Sequence, residues 1–131
     1  MVIGDLQPPT TRVDSERCSF HKVDVTVWSD QLTLFKEARE LHGRIDHVFA
    51  NAGVGPKADY LSTALDQNGD LVEPTFLTLD VNLKAVIYTA TIACYYMREE
   101  QQSPAGGSIV IVSSVAGVSR FRAVDYGKIK K

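Results

Sequence analysis

Two residues near the end of this sequence, Tyr126 and Lys130, are suited by type and spacing to acid–base chemistry. Residues four apart lie on the same face of a helix, one turn from each other. A phenol has an unperturbed pKa of about 10, and a neighbouring ammonium lowers that pKa by favouring the phenolate. Such a pair can take a proton from a hydroxyl group or return one to a carbonyl. Taken alone, the same spacing is common on solvated helix faces.

Three further motifs precede this pair in a set order. Asn51-Ala52-Gly53 follows a short apolar run, Asp80-Val81-Asn82 lies in a long apolar stretch, and Ser113-Ser114 ends another apolar run. An acidic residue, Asp5, ends the first apolar run of the chain. In this order and combination, the motifs resemble the short-chain dehydrogenase/reductase family over nearly the whole sequence.

The resemblance implies an oxidoreductase that interconverts a secondary alcohol and a ketone by hydride transfer with a nicotinamide cofactor. It assigns Tyr126 as the acid/base, Lys130 as the residue that lowers the pKa of Tyr126 and holds the nicotinamide ribose, and Ser114 as a hydrogen-bond donor to the substrate oxygen. Asn82 would support a water-mediated proton relay to the lysine. Taken singly, Ser114 has an alternative role as a strand-end cap, and Asn82 as an ordinary amide on a helix surface.

The same resemblance implies the cofactor contacts. It places Asp5 at the adenosine ribose, Asp24 beside the adenine, and Asn51, Ala52 and Gly53 along the cofactor. A carboxylate accepts hydrogen bonds from ribose hydroxyls but repels a 2′-phosphate, so Asp5 favours NAD over NADP. For Asp5 and for Asp24, a loop carboxylate without a ligand is the alternative interpretation.

The elements that must position these residues alternate between strand and helix, which predicts an α/β protein. Helical spacing of apolar residues after the second strand predicts a helix that Thr26 or Ser29 caps and Gly43 stops. The acidic segment 66–70 lacks the ligand spacing of a calcium loop, and we expect a plain turn there. The predicted strands are 2–6, 18–25, 47–50 and 108–114.

A long helix is predicted from Pro74 through Gln102, because the stretch after this proline contains neither Gly nor Pro. Its central run, 85–97, is apolar nearly all round and too short to span a bilayer. Such a helix needs cover on both sides. We therefore expect its own sheet on one side and another subunit on the other, which predicts a homo-oligomer through helix 75–102.

The resemblance also implies a fold, a Rossmann-like doubly wound parallel sheet in one domain, 1–131. The family's first strand and its Gly-rich turn, which holds the pyrophosphate, are absent from the sequence, as are the later strands. In the family's strand order the absent strand lies between this chain's first and third strands, so we expect two half-sheets, an incomplete domain and low stability. The alternative to an active enzyme is therefore an inactive truncated fragment that at most associates with a full-length relative.

Composition narrows the function classes. The net charge is −2, with acidic and basic residues interspersed, which argues against nucleic acid and membrane surfaces as partners. Cys18 and Cys94 lie far apart, and the histidines are not at metal-ligand spacing relative to them, so neither a metal site nor a disulfide is predicted. We expect buried thiols in a cytoplasmic protein. A small alcohol or ketone remains the predicted substrate, of unspecified identity.

Overall fold

The computed structural model of the protein describes residues 1–10, 17–98 and 106–119. After two successive strands, helices and strands alternate along the described residues, as predicted for an α/β protein. A short 3-10 turn, Val115–Gly117, follows the last strand. The elements are β1 (Val2–Asp5), β2 (Ser19–Lys22), α1 (Trp28–His42), β3 (His47–Ala50), α2 (Leu77–Tyr96) and β4 (Ser108–Ile111).

The four strands form two separate parallel sheets. β1 pairs with β2, with Val2 opposite Ser19, and β3 pairs with β4, with His47 opposite Ser108. In the described part of the chain no ladder joins β1 to β3. The expected pair of half-sheets is therefore confirmed. Each of these four strands has one edge without a strand neighbour among the described residues.

Helix α1 ends where the sequence predicts but begins differently. Gly43 adopts a left-handed conformation, with φ of 74°, and its N–H donates to the carbonyl of Arg39. The N-cap is Val27, which makes no side-chain cap, so the prediction of a Thr26 or Ser29 cap is wrong. The Thr26 hydroxyl instead donates to Asp24 Oδ1 at 2.7 Å, and Ser29 already lies inside the helix.

Helix α2 is shorter than predicted. It begins at Leu77 rather than near Pro74, and Thr75 Oγ1 accepts the Leu77 N–H at 3.2 Å, a group for which the helix itself supplies no acceptor. It ends at Tyr96, and Met97 and Arg98 of the predicted range 75–102 lie outside the helix. Residues 99–102 lie outside the described residues.

The core lies between the two helices and one face of the half-sheets. Gly4 of β1 approaches α1 so closely that an added Cβ would lie 2.5 Å from Leu34 Cδ2. Val48 of β3 and Ile109 of β4 pack against a buried cluster that includes side chains from both helices. The two helices therefore bridge the half-sheets. The buried cluster consists of Phe35, Ile45, Ile92, Ala93, Tyr96 and Met97.

The opposite face of the second half-sheet is open. Phe49 is 68% exposed and Val110 is 43% exposed, and both lie on the face opposite to the core-packed Val48 and Ile109. The outer side of α2 is also open, with Ile87 55% exposed. The prediction of buried thiols is wrong, because Cys94 is exposed and Cys18 is only half-buried.

By length and composition alone, α2 with its 20 residues is long and apolar enough to cross a bilayer. The expectation that this helix is too short to span a bilayer rested on the shorter run 85–97. However, Ile92 and Ala93 of this helix are buried in the core against α1, and core helices meet the same two criteria. We therefore describe α2 as the core helix of an α/β unit.

The acidic segment 66–70 forms a turn, as predicted. Asp66 Oδ1 accepts the N–H groups of Asn68 at 2.8 Å and of Asp70 at 3.0 Å. These bonds, the one from Asp70 foremost, lower the pKa of Asp66. An antiparallel bridge between Leu65 and Leu71 closes the turn. The Asp66 carboxylate is thus hydrogen-bonded by backbone N–H groups of its own turn.

Candidate active site

The carboxyl ends of β3 and β4 bring two predicted motifs together. The Ala50 carbonyl accepts the Val112 N–H at 3.1 Å, which extends the ladder just past both strands. Asn51, Ala52 and Gly53 follow on one side, all exposed, and Ser114 follows on the other. Ligands of open α/β sheets bind at this edge.

Asn82 ties helix α2 to the loop after β3. Its Oδ1 accepts the Val54 N–H at 2.9 Å, and its Nδ2 donates to the Val54 carbonyl at 2.8 Å. The side chain is 4% exposed, so the alternative interpretation of a helix-surface amide is wrong. This pair of hydrogen bonds fixes the segment directly beyond Gly53.

Thr78 makes a second tie that sequence reasoning missed. Its Oγ1 accepts the Lys57 N–H at 3.2 Å, and its side chain is 0% exposed. Thr78 and Asn82 are four residues apart, so they lie on one face of the helix. That spacing was the available signal, but a threonine in an apolar stretch does not by itself indicate a loop contact.

The helix around Asn82 is not a regular α-helix. Asp80–Lys84 is a π-helical segment, with the Ala85 N–H bonded to the Asp80 carbonyl. Single π turns inside helices are frequent at functional sites. Lys84 Nζ lies 2.6 Å from Asp80 Oδ1, and this hydrogen bond raises the pKa of Lys84. No pattern of residue types predicted this wider helical turn.

Ser114 acts as a cap. Its Oγ accepts the Ala116 N–H at 3.2 Å, at the start of the 3-10 turn. The alternative of a cap at the strand end is therefore present in the structure. Accepting this bond does not use the hydroxyl proton of Ser114, so the same side chain can still donate to a substrate oxygen.

Asp5 is the last residue of β1 and Asp24 follows β2, so both lie with the β1–β2 half-sheet. Asp5 is exposed at the end of β1, where its Oδ1 accepts the Gln7 N–H at 3.2 Å. Asp24 Oδ1 accepts both the hydroxyl and the N–H of Thr26, and these bonds, with a contribution from Lys84, lower the pKa of Asp24. Asp24 therefore has a structural role in the turn into α1, whatever else it binds.

Tyr126 and Lys130 lie outside the described residues. Their proximity to Ser114 and Asn82 stays a prediction from the sequence. Among the described residues there is no group of three or more His, Cys, Asp or Glu side chains that could hold a metal ion. The described part of the candidate site thus consists of Ser114, Asn82 and the segment 51–57.

Residues 8–128 match the protein family described as short chain dehydrogenase. The chain is 97% identical over 130 residues to short-chain dehydrogenase/reductase ascJ of Acremonium egyptiacum, covering 99% of this chain and 44% of that protein. It is 36% identical over 112 residues to short-chain dehydrogenase/reductase prx7 of Penicillium rubens, covering 82% of this chain and 40% of that protein. The chain thus spans less than half the length of these relatives.

Solved structures share the fold. ElxO with NADP bound superposes with a TM-score of 0.68 at 25% identity, over 88% of this chain and 43% of that one. A 3-oxoacyl-[acyl-carrier protein] reductase from Brucella melitensis gives a TM-score of 0.76 at 23% identity, over 98% of this chain and 53% of that one. The prediction of a partial Rossmann-like parallel fold is confirmed.

Proposed function

The chain belongs to the short-chain dehydrogenase/reductase family, whose members are oxidoreductases, and on that premise we propose that it interconverts a secondary alcohol and a ketone with a nicotinamide cofactor. The observation that carries the proposal is the double hydrogen bond between Asn82 and Val54. It holds the segment after Gly53 at the same sheet edge as Ser114. The proposal concerns the activity of the family, since the chain covers 44% of its relative from Acremonium egyptiacum.

The chemistry proposed for the chain's own residues is proton transfer. Ser114 donates a hydrogen bond from its hydroxyl group to the substrate oxygen, keeps its proton, and thereby orients the substrate. Tyr126 takes the proton of the alcohol hydroxyl, or returns it to the carbonyl oxygen in the reverse direction. Lys130 stabilises the phenolate through its positive charge. The bound cofactor supplies or accepts the hydride.

Asn82 has a positioning role before any role in a relay. Both its Oδ1 and its Nδ2 are engaged by the backbone of Val54. A proton relay to Lys130 would use the second N–H of Nδ2 or the backbone of the π-helical segment. A water-mediated relay from Asn82 to Lys130 is therefore part of the proposed function.

The residues present fit part of a dinucleotide. The exposed Asp5 carboxylate suits the hydroxyls of an adenosine ribose, Asp24 lies at the predicted adenine side, and the exposed segment 51–53 leaves backbone free to approach the cofactor. With Tyr126 and Lys130 near the nicotinamide ribose, these residues would hold NAD in preference to NADP, because Asp5 repels a 2′-phosphate. The solved ElxO structure holds NADP, so this preference needs a direct test.

The test uses the purified chain. NADH and NADPH are titrated while cofactor fluorescence is followed, and turnover is measured with a panel of secondary alcohols and ketones. We expect NADH to bind more tightly, and we expect Tyr126→Phe to abolish turnover while leaving binding in place. Absence of binding of both cofactors, together with absence of turnover, would reject the proposal for this chain.

A second candidate is an inactive fragment that associates with a full-length relative. It is favoured by the separation of β1–β2 from β3–β4, which leaves each of these strands with a single strand neighbour in the described part of the chain. Size-exclusion chromatography of the chain mixed with its Acremonium egyptiacum relative distinguishes the two candidates. Co-elution without turnover of its own supports the fragment role, and elution apart removes it.

Two further expectations complete the proposal. We propose a homo-oligomer through the outer side of α2, where Leu83 is 44% and Ile87 is 55% exposed. We also propose a cytoplasmic location, which the free thiols of Cys18 and Cys94 favour because disulfides are rare in reducing compartments.

A further inference from the structure

The loop after β3 is tied to helix α2 at two points. Asn82 binds the N–H and the carbonyl of Val54, and Thr78 accepts the N–H of Lys57. The two helix residues are four positions apart and face the same side. The segment 54–57 therefore runs alongside the N-terminal half of α2.

The burial of Thr78 indicates that its hydroxyl is there for this contact. The side chain is 0% exposed, and a valine of nearly the same shape would fill the same space. A buried hydroxyl without a partner costs about 1–3 kcal/mol, so threonine is the worse choice unless its oxygen is bonded. The Lys57 N–H supplies that bond at 3.2 Å.

Two ties achieve what one cannot. A loop held only at Val54 can still pivot about that point, whereas a second bond at Lys57 also sets its direction. The direction of this loop determines how Asn51, Ala52 and Gly53 are presented at the sheet edge, because they lie between β3 and the first tie. Small errors in the placement of binding groups are costly for catalysis.

We infer that Thr78 is a positioning residue, which orients the cofactor-facing segment 51–53 through its bond to Lys57. The inference rests on the proposed function, since that function gives the segment a cofactor to contact. Thr78 touches neither substrate nor cofactor in this scheme. It acts through the loop backbone.

The experiment compares three variants with the unsubstituted chain. Thr78→Val removes the hydroxyl and keeps the shape, and Thr78→Ser keeps the hydroxyl. Ile92→Val is the matched control, since it removes one methyl group from a buried position of the same helix, in the core rather than at the loop. Amide exchange at Lys57 reports the tie, and the NADH dissociation constant reports its consequence.

We expect Thr78→Val to speed exchange of the Lys57 amide roughly tenfold, as loss of one hydrogen bond implies. We expect the same variant to weaken NADH binding severalfold, and Thr78→Ser to restore both values. Ile92→Val should lower thermal stability without moving either value. A merely structural role for Thr78 predicts instead that the two valine variants affect NADH binding alike.

Each contrary result is separately informative. Equal NADH binding by the unsubstituted chain and by Thr78→Val, with faster Lys57 exchange, overturns the role of Thr78 and leaves the proposed function standing. Failure of the unsubstituted chain to bind NADH and NADPH overturns the proposed function and removes this inference with it. If Thr78→Val does not fold, the unsubstituted chain decides, because a Lys57 amide that exchanges as fast as that of the exposed Gly55 rules the tie out.

Discussion

Gln31 on α1 and Thr89 on α2 are joined by a hydrogen bond of 2.7 Å in the seam between the two helices. The Gln31 side chain is 2% exposed, and its Nε2 also donates to the carbonyls of Val25 at 2.6 Å and Ala85 at 3.1 Å. A single amide thus joins both helices and the turn after β2. This network lies in the part of the molecule that bridges the half-sheets.

The first prediction concerns Gln31. Gln31→Leu leaves the Val25 and Ala85 carbonyls without this donor, and we expect the free energy of unfolding to fall by about 2 kcal/mol. Urea denaturation followed by circular dichroism measures the change. The control is Gln7→Leu at an exposed position, which should have little effect. Equal losses for the two variants would contradict a role for the buried network.

The second prediction concerns Asn82. Asn82→Leu removes both bonds to Val54, and the expected loss is about 1–3 kcal/mol of unfolding free energy with faster exchange of the Val54 amide. Asn82→Asp keeps an acceptor for the Val54 N–H, so that amide should remain better protected than in the leucine variant. NMR hydrogen exchange makes the comparison. Identical protection in both variants would show that the Oδ1 bond does not hold the loop.

The third prediction is a pH dependence from Asp24. Thr26 lowers the pKa of Asp24 in the folded chain, so the carboxylate stabilises the fold above the unfolded pKa of about 3.9, and this stabilisation is lost as pH falls through the folded pKa. Asp24→Asn should therefore reduce stability at neutral pH and flatten its decline below about pH 4. Denaturation midpoints measured between neutral and acidic pH test this. A variant with the same acid dependence as the unsubstituted chain would assign that dependence to other carboxylates.

The fourth prediction separates the two sides of α2. Ile92, which is 3% exposed, lies in the core, and Ile92→Ala should cost about 2–4 kcal/mol. Ile87, which is 55% exposed, contributes little to the core, so Ile87→Ala should change the stability of the monomer by less than about 0.5 kcal/mol. Denaturation under dilute conditions measures both. A large loss at Ile87 would place that residue in an interface or in a core contact.

Ile87 also offers a test of the proposed oligomer. A charge on the outer side of α2 should prevent association through that side, so Ile87→Glu should shift the chain to monomer in sedimentation experiments. Thr33→Glu, on the exposed side of α1, is the matched control. Unchanged assembly in Ile87→Glu would move the interface elsewhere.

Local signals in the sequence predicted most elements of the fold. Short strand-like runs in the sequence predicted the positions of all four strands. Gly43 predicted the end of α1, because glycine readily adopts the left-handed backbone conformation that this helix cap requires. The second and fourth strands, Ser19–Lys22 and Ser108–Ile111, are shorter than the predicted ranges 18–25 and 108–114. The pairing of backbone groups, rather than composition, sets where these strands end. The separation into half-sheets followed from the resemblance, not from any local pattern.

Two local features of α2 could not be predicted, because neither its start at Leu77 nor its π-helical turn leaves a trace in residue types. The other unpredicted features depend on contacts between distant segments. The role of Thr78 depends on a loop twenty-one residues earlier in the chain. For the candidate site, the sequence identified Asn82 and Ser114, but their bonds to Val54 and Ala116 emerged only in three dimensions.

Because no backbone ladder joins β1 to β3 within residues 1–10, 17–98 and 106–119, cooperativity does not spread between these two strand pairs through strand pairing. Asp5 and Asp24 therefore lie with one strand pair and Ser114 with the other, and the alignment of these residues depends on side-chain packing between α1 and α2. Loosening the packing between α1 and α2 would shift Asp5 and Asp24 relative to Ser114 without breaking the pairing within either strand pair.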